Sequence, residues 1–261
     1  MSIEDPVSKE IKENDTDWRR LYVFGAVMAF ITLIGIILDM VIGSTLGSDL
    51  SVLPHSAMER FAQFAVHPWI GLYTLDILNA TTQLLTIPVY VALYGALRKT
   101  NAAVAGLAFV IFLIGTAIFV ANNVALPMLS LSREYAASDQ ARQGLLVAAG
   151  EAMLARGAHG SPGAFFGFLL PTLAGIIMSG AMVGGRVFSR LTGIFGLAGN
   201  AALMSYIVLV TFVPGTEKIA MILAAPGGIL MIVWVVMYAL RLLRLGSLGP
   251  CPLLRNAPRA D

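Results

Sequence analysis

Cysteine is almost absent from this chain. One residue, Cys251, in 261 excludes an internal disulfide and any mechanism built on a thiol pair. Charge is scarce as well, at 12% of residues, too little to clothe a soluble domain. Only three histidines occur, His55, His67 and His159. No HExxH pair, GxSxG elbow or glycine-rich nucleotide loop is present, which leaves hydrolytic and nucleotide chemistry without their usual signatures. No cofactor is expected. The net charge of +2 is not gathered on one basic face, so a nucleic-acid partner is not expected either.

Long apolar runs are what the chain does have. Apolar residues make up 57% and the mean hydropathy is +0.81. A span needs about 20 mostly apolar residues to cross about 30 Å of hydrocarbon. Runs at 21–42, 69–97, 102–124, 164–185, 191–213 and 219–240 meet that length. Amides in lipid must be paired within their own segment, and continuous runs do this as helices. The expected fold is all-α: a polytopic transmembrane bundle of six spans with two outer amphipathic helices. Residues 1–20 would be a polar N-terminal segment, 21–243 the membrane domain and 244–261 a tail. The first run lacks the basic start and cleavage site of a signal peptide, so it is expected to remain as an anchor.

Lysine and arginine are retained on the cytoplasmic side of membrane helices. With the N-terminus inside, Lys9, Lys12, Arg19, Arg20, Arg98, Lys99, Arg186, Arg190, Arg241, Arg244, Arg255 and Arg259 are cytoplasmic. Only Arg60, Arg133, Arg142, Arg156 and Lys218 fall outside. Both termini are therefore expected in the cytoplasm.

The two long outer loops each have room for a helix. In the first, Ser56 with Glu59 three residues on is a capping box, followed by Phe61, Phe64 and Ala65 until Pro68. In the second, Ser138 or Asp139 can cap a helix with an apolar face through Leu145, Ala149, Ala152 and Met153, ended by Gly157. Both helices suit the membrane surface. His67 before Pro68, and His159 before Pro162, then open spans two and four, which hints at two copies of one unit.

Span two carries the most unusual chemistry. Asp76, Asn79, Gln83, Thr86 and Tyr90 recur at helical spacing. An acid at mid-helix costs roughly 2.5 to 3.5 kcal/mol on insertion scales, so Asp76 is expected to face the bundle interior. Asp39, Asn122, Asn123 and Asn200 lie at depths where they could join it. The candidate ligand-binding or proton-relay set is Asp76, Asn79, Gln83, Asp39 and Asn122. The bland alternative is that these groups bridge helices as packing. A metal site is a weaker reading, with His67 and His159 joined by Asp39 or Asp76. Glycines such as Gly167, Gly175, Gly193 and Gly196 read as points of close helix approach, and Pro171 and Pro226 as candidate kinks.

Asn122-Asn123-Val124-Ala125-Leu126, the segment 129–136 and residues 140–155 resemble a bacterial six-span integral membrane family catalogued as a domain of unknown function. That resemblance implies a location in the bacterial cytoplasmic membrane and transfers no catalytic residue. Three functions follow as alternatives. The bundle binds or transports a small molecule through span two, it is an outer-face metal-dependent hydrolase, or it is a non-catalytic accessory or sensory subunit. The lipid bilayer is the one partner common to all three.

Overall fold

The computed structural model describes residues 6–45, 54–158, 161 and 163–247. Every element among the described residues is a helix. Five apolar stretches are long enough to cross a membrane: Asp17–Gly43, Ile77–Ala136, Phe165–Gly184, Arg190–Phe212 and Lys218–Ser247. The architecture is that of a helical membrane protein.

The long helices are α1 (Pro6–Thr45), α4 (Ile77–Asn122), α7 (Phe165–Gly184), α8 (Arg190–Phe212) and α9 (Glu217–Ser247). Five stretches are found where the sequence reads six; the second, Ile77–Ala136, contains α4, which is continuous in outline yet folded. At about 1.5 Å per residue its 46 residues would outreach a bilayer twofold if straight. Asn101 breaks it, with φ −153° and ψ 57°. The two arms, 77–100 and 102–122, lie back on each other, with Tyr90 stacked on Phe112 at 3.9 Å between ring centroids. Asparagine competes for its own backbone hydrogen bonds, which suits it to such a fold point.

The helices close into a ring. The first arm of α4 meets α1, where Thr32 and Thr86 hydroxyls are 3.4 Å apart. The second meets α7, where Gly115 lets Pro171 approach. Beyond these, α7 packs on α8, α8 on α9 and α9 on α1. The core between them includes Leu93, Leu97, Met178, Met182, Trp234 and Tyr238, all buried. Pro171 and Pro226 sit inside α7 and α9.

Four shorter helices build a cap over one end of the ring: α2 (Ala57–Val66), α3 (Pro68–Tyr73), α5 (Ala125–Ala136) and α6 (Gln140–Gly157). They share a second apolar cluster, with Phe61, Phe64, Leu75, Met128 and Leu154 buried. The capping box holds α2: Ser56 Oγ accepts from Glu59 N at 3.2 Å, and Glu59 Oε2 accepts from the amides of Ser56 and His55. Those two amide bonds hold the Glu59 carboxyl below its ordinary range. Their contribution is present above that range and is lost as pH falls through the lowered value. Ser56→Ala is expected to cost about 1 kcal/mol, seen as a lower midpoint in detergent unfolding; an unchanged midpoint would mean the cap does not need this helix start.

Asp139 caps α6 through Arg142 N at 2.9 Å. The buried row of α6 is Leu146, Gly150, Leu154 and Gly157, not the expected row through Leu145, Ala149 and Ala152. Gly150 faces Ala57 and Phe61 of α2, and only a residue without a side chain allows that approach. Leu145 is left 73% exposed on the outward side. The second loop also holds an unforeseen helix, α5.

The opposite end of the ring is basic. Arg98 lies 3.8 Å over the Trp18 ring, Arg241 Nε donates to Val187 O at 2.7 Å, and the turn between α7 and α8 brings Arg186 and Arg190 to the same end.

Candidate functional site

The cap meets the ring at a buried polar centre. Sequence reading begins the second span at Trp69 and runs it through Asp76. Instead α3 ends at Tyr73, Thr74-Leu75-Asp76 turn, and α4 starts at Ile77. Asp76 therefore occupies the position before the helix, not its face, with φ 63° and ψ 26°. It is the one non-glycine residue with positive φ among those described. Aspartate tolerates this region better than most residues but still pays backbone strain for it.

Asp76 is also buried, at 7% exposure, and so is Arg60 of α2, at 5%. Burial pushes the Arg60 guanidinium down to about 10, and the Asp76 carboxylate, followed by Glu59, pulls it back. Arg60 is thus charged at neutral pH, and Asp76 is its principal counter-charge. Arg60 Nη1 donates to Thr74 Oγ1 at 2.7 Å and to Gln63 Oε1 at 3.2 Å. Asn79 Nδ2 donates to Asp76 Oδ1 at 2.9 Å. From the far side Asn123 Nδ2 donates to Leu75 O at 2.9 Å and fixes the turn. Arg60 Nε is buried and has no acceptor among the described residues.

Asp39 borders this centre. The Tyr73 hydroxyl donates to its backbone carbonyl at 3.0 Å. Burial, then the neighbouring Asp39 and Asp76 charges, raise the Tyr73 hydroxyl well above its ordinary value, so it remains a donor. Gln83 follows Asn79 along α4 with a buried Oε1 that no described donor reaches. Asn122 is engaged elsewhere: it accepts from Arg156 Nε at 2.9 Å and donates to Gly163 O at 3.1 Å, tying α6 to the start of α7. Asn200 is buried against its own helix, donating to Gly196 O at 2.8 Å.

His67 is exposed between α2 and α3, and His159 lies outside the described residues. No group of three metal-ligating side chains occurs among the described residues.

Arg60, Gln63 and Thr74 were missed by sequence reasoning. The signal for Arg60 was present, since Ala57, Arg60, Phe61 and Phe64 fall on one face of α2, so the arginine shares the side that the aromatic residues bury. Thr74 carried no such signal, because it depends on where α3 stops.

Residues 23–241 match the family described as Domain of unknown function (DUF4386). The chain belongs to this family. The DUF4386 match runs from the middle of α1 to the last turns of α9, so the cap, the Arg60–Asp76 centre and most of the ring fall within it. Neither curated proteins nor solved structures gave a match.

Proposed function

We propose that this DUF4386 protein crosses the bacterial cytoplasmic membrane six times and binds a small polar solute at the Arg60–Asp76 centre beneath an outer cap. The fold of α4 at Asn101 supports two crossings where the outline shows one helix. The basic end, with Arg98, Lys99, Arg186, Arg190 and Arg241, supports a cytoplasmic placement of the termini. The cap then lies outside. The exposed Trp69, Leu126 and Leu145 are suited to the head-group layer, where amphipathic helices and aromatic side chains settle.

The observation that carries the binding reading is Arg60 Nε, a charged donor buried without an acceptor among the described residues. Such a group normally finds a partner, and leaving it bare costs about 1 to 3 kcal/mol or more. A ligand oxygen would supply the acceptor. Asn79 and Gln83 continue the polar wall along α4, Asp76 favours the charged form of the arginine, and Thr74 and Gln63 hold it in place. The test is the thermal midpoint of the purified chain against acetate, lactate, phosphate and glycine. A saturable rise with at least one, absent in Gln63→Leu and Asn79→Leu, is expected. No rise with any of the four, or a rise untouched by both variants, would place the site elsewhere.

A further inference from the structure

A second feature lies at the other end of the molecule, away from the Arg60–Asp76 centre. A groove of about 620 Å³ opens between the middle of α1 and the end of α9, lined by Arg19, Arg20, Val23, Phe24, Val27 and Met28. Gly246 of α9 forms its remaining wall. A Cβ there would stand 2.5 Å from Val23 Cγ2 and 3.0 Å from Arg19 O, so the bare glycine is what lets the two helices meet at the head of the groove.

The lining divides by chemistry. Arg19 and Arg20 stand at the basic end, and Arg244 is on the last turn of α9 beside Gly246. The remainder is apolar and open: Val23 is 39% exposed, Phe24 47% and Val27 44%. The open row continues along α1 through Ile31, Ile34 and Leu38 at intervals of three and four, one helix face. Arginines at a span boundary followed by an exposed apolar stripe match the two halves of an anionic phospholipid. The head-group phosphate is complementary to the guanidinium groups, and an acyl chain to the stripe. Basic pockets between membrane helices on the cytoplasmic side bind anionic head groups for this reason.

We infer that the groove between α1 and α9 is a binding site for an anionic phospholipid, held by Arg19 and Arg20 with one chain lying along Val23, Phe24 and Val27. The lipid clamps the two ends of the ring where α1 and α9 close it. Zwitterionic lipid lacks the net charge the arginines select.

Native mass spectrometry of the full chain in detergent, titrated with dioleoyl phosphatidylglycerol or dioleoyl phosphatidylcholine, tests this. Phosphatidylglycerol is expected to bind the more tightly. Each arginine near an anionic head group contributes about fivefold in affinity, so Arg19→Gln with Arg20→Gln should weaken phosphatidylglycerol about 25-fold and phosphatidylcholine far less. Val27→Trp, at a position 44% exposed, should weaken both lipids and reads the site independently should the arginine variant fail to fold. Equal affinity for the two lipids would overturn the inference. So would an equal loss in Arg186→Gln with Arg190→Gln, which removes the same charge elsewhere at that end, or a dimer mass that excludes lipid, which would make a second copy the occupant.

Discussion

Asp76→Asn is expected to destabilise the purified protein by about 3 to 5 kcal/mol, the range for a buried charge that loses its partner. Asparagine keeps the shape, tolerates the same left-handed backbone, and can still accept from Asn79 through Oδ1. What it removes is the principal counter-charge of Arg60, which is 5% exposed and on which, among the described residues, Glu59 acts as a weaker second acid. Asp76→Gly makes the comparison decisive. Glycine relieves a backbone strained by about 1 to 2 kcal/mol, so it would stabilise a residue whose only task is to make the turn. Here it is expected to destabilise as well. The double variant Arg60→Met with Asp76→Asn should recover most of the loss, since exchanging both members of a buried pair is often neutral. A double variant as stable as the wild type would leave solute binding, not folding, as the reason the pair is kept. Stability unchanged in Asp76→Asn and raised in Asp76→Gly would reduce Asp76 to a turn residue.

Gly193→Ala should cost about 1 to 3 kcal/mol through overpacking, although alanine is the better helix former by about 1 kcal/mol. Its Cβ would collide with Val183 Cγ2 and stand 2.8 Å from both Ser179 O and Val183 N. Two of those three are backbone atoms of α7, so no rotamer change clears them and the helices must separate. Gly180→Ala and Gly184→Ala, where a Cβ meets nothing within 4 Å, should be neutral or gain up to about 1 kcal/mol. Unfolding midpoints in a denaturing detergent titration read the difference. Equal effects at Gly193 and Gly180 would mean that the contact between α7 and α8 is looser than its geometry.

Much of this layout is legible in the residues. Run length and hydropathy mark the helices of the ring, and Ser56 with Glu59 marks the start of α2 because a capping box is a local, three-residue interaction. Asp139 before α6 is local in the same way. The Arg60–Asp76 centre is not local. Asp76, Asn79, Gln83, Thr86 and Tyr90 fit a helical spacing, and nothing in that spacing reveals that the helix starts one residue after Asp76. The turn is set by Asn123, bonded to Leu75 O from 48 positions away, and by Arg60, which reaches Thr74 from another helix. Burial of Leu146 in place of Leu145 has the same origin, since both rows of α6 are apolar and only the position of α2 selects between them. In each case the deciding contact is tertiary.

Cysteine labelling in intact cells tests the six-crossing fold with its outer cap most directly. With the single native cysteine removed by Cys251→Ser, single cysteines are introduced as His67→Cys before α4, Leu145→Cys after it, and Lys99→Cys at its fold point, then treated with a membrane-impermeant maleimide. His67→Cys and Leu145→Cys are both expected to label from outside, and Lys99→Cys only after the membrane is permeabilised. Labelling of His67→Cys and Leu145→Cys from opposite sides would mean that α4 crosses once, and would contradict both the folded hairpin and the shared cap.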